Sequence, residues 1–320
     1  FSGTARFQAM GGAFGALGGD MSGLHINPAG VGVFRFGEVS FTPVYEFKSI
    51  NAQTDFISRE DSKSKLVVDN LGFVLANPID HPKWRSVNFG VSYNRINTFN
   101  DITRLTGQST ALDGLTGDFL FEAQGLFVDE LSSFSAGLAW DAFVIDNQNF
   151  DDEGLIDDGL YQMGFDSLQL VETIQTAERD GRLSETGLTI GANYDDKLYI
   201  GFGLGFQDVN YESVVETEER AVGESSTELN GYRLIERLQS EGLGVNAKLG
   251  FIYKAQNFRF GGSVRTPTVF SMTDNFNAEI QSRFSTEPVI EEALSDAGFF
   301  EYRIRTPWHF MGSVAGIIGS

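Results

Sequence analysis

The feature that most narrows what this chain can fold into is a repeated two-residue alternation of bulky apolar and polar or glycine positions. Val39, Phe41, Tyr45 and Phe47 share one parity, while Glu38, Ser40, Thr42, Glu46 and Lys48 share the other. The pattern returns in Leu188, Ile190, Ala192 and Tyr194. Leu198, Ile200, Phe202, Leu204 and Phe206 oppose Tyr199, Gly201, Gly203 and Gly205. Leu243, Val245, Ala247, Leu249, Phe251 and Tyr253 oppose Gly244, Asn246, Lys248 and Gly250, and Phe300, Tyr302, Ile304 and Phe310 oppose Glu301, Arg303 and Arg305. Side chains alternate across a strand, so each run has one greasy face and one polar face. The runs are about ten residues long, the length a tilted strand needs to cross a bilayer. The expected fold class is all-β, a transmembrane antiparallel β-barrel.

Eight strands are expected, over 38–48, 66–76, 86–97, 185–194, 197–210, 242–254, 257–270 and 299–314. Short connections at 77–82, 195–196 and 255–257 alternate with long ones at 49–65, 98–184, 211–241 and 271–298. That rhythm matches tight periplasmic turns and large external loops. The 98–184 connection is too long to lack structure. Asp166-Ser-Leu-Gln169 resembles a capping box and predicts a helix through Leu170, Val171, Ile174 and Ala177. A second helix is expected over 129–142, with Leu131, Phe134 and Leu138 on one face, and a third across 286–294, ended by Gly298.

Residues 1–36 follow another rule. Gly3-Thr-Ala-Arg-Phe-Gln-Ala-Met-Gly-Gly-Ala-Phe-Gly-Ala-Leu-Gly-Gly-Asp20 is too rich in glycine for a stable free helix and too apolar for a solvated tail. It must be packed inside something, and a plug in the barrel lumen is the expected place. Side chains alone just fill an eight-stranded barrel, which leaves no room for such a plug. The expectation is therefore that residues 37–320 are part of a larger barrel, incomplete at the C-terminus.

Composition limits the chemistry. With no cysteine, a disulfide framework and a thiolate metal site are excluded. No apolar run reaches the ~18 residues of a membrane-spanning helix. Phe1 has no charged n-region and apolar h-region before it, and the expectation is a sequence that starts after cleavage or some residues beyond the mature terminus. Net charge is −21, and 101–180 holds 17 acidic residues against Arg104 and Arg179, a net −15. Such a block opposes nucleic acid and suits a solvated external surface. Asp146-Asn-Gln-Asn-Phe-Asp-Asp-Glu-Gly154 departs from the EF-hand template. His25, His81 and His309 have no metal-ligand spacing, and no serine lies in a nucleophile elbow. The expectation is no enzyme, no metal and no cofactor.

Gly3-Thr-Ala-Arg6, Met10-Gly-Gly-Ala-Phe14, Asp20 and Asn27-Pro28-Ala29-Gly30 resemble the hatch of the FadL family of outer-membrane transporters for hydrophobic compounds, in the wording of its Bacteroidetes members. Thr306-Pro307-Trp308 before a strand is also similar to that family. The resemblance is specific over residues 3–34 and architectural beyond them. It implies a 14-stranded barrel, of which about eight strands are visible, and an N-terminal hatch. It also implies passive transport of fatty-acid-like molecules in the outer membrane of a Gram-negative bacterium, and a lateral exit near the third strand, where Gly90 and Asn94 weaken pairing.

The candidate residues follow. In Asn27-Pro28-Ala29-Gly30 the proline fixes φ and the asparagine is pushed extended, so its amide can satisfy backbone groups. Phe7, Met10, Phe14 and Leu17 could wall an apolar pocket or pack plug against barrel. Arg259, Arg265, Arg303 and Arg305 form a candidate basic lining for a carboxylate head group, or pair with acids such as Asp20. Gly201, Gly203 and Gly205 either allow close approach to one strand or mark curvature. Trp84, Tyr93, Tyr194, Tyr199 and Trp308 suit interfacial girdles. Expected partners are a hydrophobic small molecule and outer-membrane lipid. The alternative is a FadL-like scaffold in type 9 protein secretion, holding protein partners through its acidic external loops.

Overall fold

The alternating runs pair into one long antiparallel meander. The computed structural model describes residues 2–53, 58–151, 154–155, 157–285 and 290–316. The first strands are β1 Glu38–Gln53, β2 Ser58–Leu75, β3 Trp84–Thr98 and β4 Asp101–Thr110. An insertion then carries α3 Leu115–Ala123 and α4 Ala136–Asp141, with the short strands β5 Ile145–Asn147, β6 Phe150–Asp151, β7 Gly154–Leu155 and β8 Tyr161–Met163. The meander resumes with β9 Leu170–Tyr194, β10 Leu198–Ala221, β11 Leu229–Ala255, β12 Phe258–Arg265 and β13 Val269–Phe284. It ends with β14 Ile290–Leu294, β15 Gly298–Arg305 and β16 His309–Gly316. Before the sheet lie α1 Ala5–Ala9, α2 Gly23–Ile26 and a 3-10 turn, Pro28–Val33.

The sheet order is β1-β2-β3-β9-β10-β11-β12-β16. β11 pairs β13 along its first half and β12 along its second, while β15 pairs β13 and β16 pairs β12. β12 and β13 are thus two legs of one bent strand, broken at Pro267, and β15 and β16 are two legs broken at Pro307. Proline donates no ladder hydrogen bond and restricts the residue before it, so both breaks fall where the sequence puts proline. The expected strands over 257–270 and 299–314 are each corrected to such a pair. The two breaks are stitched together, Thr306 N donating to the Thr268 carbonyl at 3.0 Å and Thr268 N to Thr306 Oγ1 at 2.9 Å. β1 and the β15–β16 leg are the outermost members, and among the described residues they do not pair with each other.

All eight expected strands are present, but most run further than the alternation suggested. The regions 211–241 and 271–298, expected as loops, are mostly ladder: β10 pairs β11 as far as Arg220–Gly231, and β13 pairs β11 as far as Phe284–Leu229. Most of 49–65 likewise belongs to the β1–β2 hairpin. The helix expected after Asp166 is a turn followed by β9. The Asp166 carboxylate accepts from Leu168 N at 2.9 Å, and Leu170–Arg179 pair with β4. Val171, Thr173 and Ile174 are β-branched, and with a ladder partner on each side they extend instead of coiling. The helix expected over 286–294 is replaced at Ile290–Leu294 by β14, paired with β13; residues 286–289 lie outside the described residues. The helix expected over 129–142 is two pieces, a 3-10 turn Val128–Glu130 and α4, parted at Ser132–Ser135.

The two faces of the meander are inverted relative to a water-soluble sheet. Phe41, Tyr45, Phe47, Leu66, Leu71 and Phe73 are exposed, as are Phe89, Leu188, Ile200, Phe202, Leu243, Leu249, Phe251, Phe260 and Phe310. The buried face carries Asn70, Asn88, Asn94, Glu185, Thr189, Gln207, Asn246 and Lys248. Residues 2–34 lie against that polar face. Beyond the apolar band, the insertion packs Phe119, Leu138, Val144, Ile145 and Phe165 onto Leu229, Tyr232, Leu234 and Ile280 of the strand extensions, in a core of its own. No helix among the described residues is long and apolar enough to cross a membrane.

Candidate functional site: an inner cavity and a gap in the wall

The N-terminal segment is fixed on the sheet by backbone approach that only glycine permits. A Cβ on Gly201 would lie 2.4 Å from the Pro28 carbonyl and Ala29 N, and one on Gly250 would lie 2.0 Å from Asn27 Oδ1. Of the two readings of the glycine row, Gly201 thus serves close approach, while Gly203 has only ordinary contacts there. Asn27 Nδ2 donates to the Gly15 carbonyl at 2.7 Å and to the Phe251 carbonyl at 3.1 Å, and Asn27 Oδ1 accepts from Ala29 N at 3.0 Å. One amide therefore joins two parts of the segment to β11. On β3, Asn88 Nδ2 donates to the carbonyls of Val31 and Phe34. Met21, Leu24, Val31, Phe34 and Val74 close the apolar contact beneath. Gly201→Ala forces an overlap with backbone and should cost about 1–3 kcal/mol. The check is faster proteolysis within residues 2–36 at unchanged sheet content; unaltered protection would mean the segment is held elsewhere.

A buried charge cluster lies under α2. His25 Nδ1 is 2.9 Å from Glu185 Oε1, Lys248 pairs with the same carboxylate, and Gln207 Nε2 donates to Glu185 Oε2 at 2.8 Å. Glu185 and Lys248 are nearly inaccessible, so each charge depends on the other for compensation.

Beside it opens a cavity of about 470 Å³, bounded by Phe7 and His25 of the segment, Arg95 of β3, Arg265 of β12 and His309 and Ser313 of β16. Phe7 is stacked on Phe14 at 5.7 Å, and Arg6 lies over the Phe14 ring. Of the residues expected to bind ligand, Phe7 and Arg265 line this cavity. Phe14 is buried behind Phe7, and Met10 is largely exposed. The Leu17 carbonyl accepts from Arg259 Nη1 at 2.9 Å, which makes Arg259 a tether of the segment. Arg303 and Arg305 are exposed on β15 and are not among the lining residues, because β15 pairs β13 above the Pro307 break. Asp20 is satisfied within its own segment by Thr4, Arg6, Ser22 N and Gly23 N. Tyr199, expected at a membrane girdle, is buried against Ala29 and Ile252; its parity on β10 is the inner one.

The wall itself is interrupted. β2 and β3 pair only from Leu75–Phe89 to Asn70–Asn94. At that level the β1–β2 register skips Asp69, and the β3–β9 register skips Ile96. Two bulges on neighbouring strands increase local twist and re-aim side chains, which parts the ladder. Gly90, expected to weaken this region, is regularly paired with Val74; Asn94 marks the break. Beyond it a second cavity, of about 320 Å³, lies between Lys65 and Val67 of β2, Tyr93, Arg95 and Thr98 of β3, and Arg182 of β9. Lys63 reaches Glu178 at 2.9 Å and Lys65 reaches Asp180 at 2.6 Å across the gap. Arg95 lines both cavities.

Arg95, Asp69, Glu46, Glu185 and Lys248 were not singled out from sequence, and His25 was weighed there only as a metal ligand. The readable signal was a Glu on β9 and a Lys on β11, both at polar-parity positions, and the Asp69-Asn70 step that breaks the alternation of β2. No family model, no curated protein and no solved structure matches the chain.

Proposed function

We propose that the chain is an outer-membrane β-barrel that passes hydrophobic, fatty-acid-like molecules without catalysis. Residues 2–36 serve as the hatch, and the gap between β2 and β3 serves as the lateral exit. The observation that carries this reading is the inverted polarity of the sheet. Phenylalanine, leucine, isoleucine and valine face outward along strand after strand, while asparagine, glutamine and charged residues are buried beneath the N-terminal segment. Leaving one large apolar side chain in water costs on the order of 2 kcal/mol relative to burial, and a hydrocarbon surround removes that cost. Helices and closed barrels are the two structures that can stand in lipid, so this reading requires the edges of β1 and of the β15–β16 leg to be closed. The inner cavity has apolar walls at Phe7 and Met311 and a cation at Arg265, a lining that suits an amphipathic acid.

The test is solvent extraction of the gently purified protein, with mass spectrometry of the extract. One amphipathic lipid per protein is the expected result. An empty cavity, together with no transfer of a fluorescent fatty acid into vesicles that carry the protein, would overturn the reading. The second reading, a secretion scaffold, is favoured by one observation: the external insertion exposes Phe121, Phe127 and Leu168 on a folded, acidic body. Stable co-purification with secretion components and an empty cavity would select it.

A further inference from the structure

We propose that Arg95 is the bolt of the wall gap, a buried guanidinium that separates the inner cavity from the lateral opening and is held shut by the first turn of the N-terminal segment. The inference rests on the reading of that gap as an exit.

Arg95 lines both cavities and its side chain is buried between β1 and β2, which places it to act as the partition between them. Its Nε donates to Asp69 Oδ1 at 2.9 Å, Nη2 reaches the same oxygen at 2.7 Å, and the rest of the fork is held by Glu46 of β1. Three strands thus meet in one ion triad at the level where the β2–β3 ladder ends. In place of the missing backbone pairing, side-chain charge closes the wall. A guanidinium fork between two carboxylates is geometrically specific and, once desolvated, strongly dependent on both partners.

Asp69 is not used by Arg95 alone. Its Oδ2 accepts from Gly3 N at 3.4 Å and from Gln8 Nε2 at 3.2 Å, and Ser2 Oγ donates to the Arg95 carbonyl. The bulge that leaves Asp69 unpaired with β1 is what turns its carboxylate inward to meet both sets of donors. Displacing Ser2–Gln8 removes two donors from Asp69 and the tie on the Arg95 backbone. The fork keeps its own bonds to Asp69 and Glu46, but the Asp69 carboxylate that anchors it and the Arg95 backbone are freed to shift, so the triad can move as a unit toward β1 and join the two cavities. An amphipathic molecule that enters the inner cavity contacts Phe7 of the same turn and would move it.

The chain has no cysteine, so a single engineered thiol reports cleanly. Thr98→Cys places it in the gap, and its reaction with a charged, water-soluble methanethiosulfonate is timed in the full chain reconstituted in vesicles. Arg95→Gln should speed labelling at least tenfold, and Gln8→Ala, which leaves the ion triad in place, several-fold. If Arg95→Gln does not fold, Arg95→Lys, which keeps the charge and loses the fork, should speed it about threefold. Labelling of the folded Arg95 variant within twofold of the parent overturns the bolt. Fatty-acid transfer measured on the same variants separates the two ideas. Faster labelling without any transfer in any variant sinks the transport reading and leaves the bolt; normal transfer with unchanged labelling does the reverse.

Discussion

Lys248→Met is expected to destabilise the protein by about 3 kcal/mol, the lower end of the cost of stripping one partner from a buried ion pair. Lys248 and Glu185 are both shielded from solvent, and the lysine is the strongest compensation the carboxylate has. The loss stays at the lower end because His25, Gln207 and Asn246 still donate to Glu185. The damage should also appear in one place. His25 belongs to α2, so an unbalanced Glu185 loosens the N-terminal segment before it loosens the ladder. Urea unfolding monitored by tryptophan emission, with proteolysis of residues 2–36 in parallel, checks both statements. Adding Glu185→Leu to Lys248→Met removes the orphan charge but leaves the Gln207 and Asn246 donors without their acceptor, so it should recover only part of the stability. A double variant as unstable as the single one would show that the pair itself, and not its imbalance, matters.

Glu219→Ala is expected to undock the insertion, with a loss of about 4 kcal/mol from several buried donors left without an acceptor. The Glu219 carboxylate accepts from Leu115 N at 2.7 Å and Thr116 N at 3.2 Å at the start of α3, from Thr116 Oγ1 at 2.7 Å, and from Tyr232 Oη at 2.8 Å. A negative group at a helix N-terminus also meets the positive end of the peptide dipoles. The same group ties the insertion to pH. Tyr232 lies on the part of β11 beyond the apolar band, where burial first, and the neighbouring Glu219 charge second, push its phenol well above the ordinary value. The unfolded phenol ionises near pH 10 while the docked one stays neutral. Its contribution is therefore complete below about pH 10 and is lost as pH rises further. Rapid proteolysis within 111–169 should follow either the substitution or that alkaline shift, with the ladder below intact. Protection unchanged at pH 11 would contradict the account.

How much of this was readable depends on which force leaves a trace in a single sequence. The two faces of β9, β10 and β11 were legible because their exposed positions are apolar at every second residue and their buried ones polar or glycine. Asn27 was legible for a local reason: the proline after it fixes the backbone, which leaves the amide free to bond main chain. The strand extensions left no such trace. In Glu216-Thr-Glu-Glu-Arg220, pairing with Ile235–Gly231 satisfies the backbone while this stretch is itself polar on both faces, so its period two carries no hydrophobic signal. The 166–177 segment misled because Leu170, Val171, Ile174 and Ala177 also fit a helical stripe; ladder partners on both sides outweighed that spacing. The Arg95 triad was beyond reach from sequence, since it depends on a bulge and on Glu46 and Asp69 being brought together from separate strands.

Asn27 has one further consequence, which concerns time. Its amide bonds the Phe251 carbonyl, 224 residues later in the chain, and the turn it opens rests on β9, β10 and β11. A contact so distant in sequence cannot reward its own ordering until the intervening strands exist. Residues made before the strands they rest on therefore find their place after them. In a refolding experiment followed by hydrogen exchange, the Ala29 and Gly30 amides should gain protection only after those of β9 and β10. Until then the polar inner face of the sheet stands open to water.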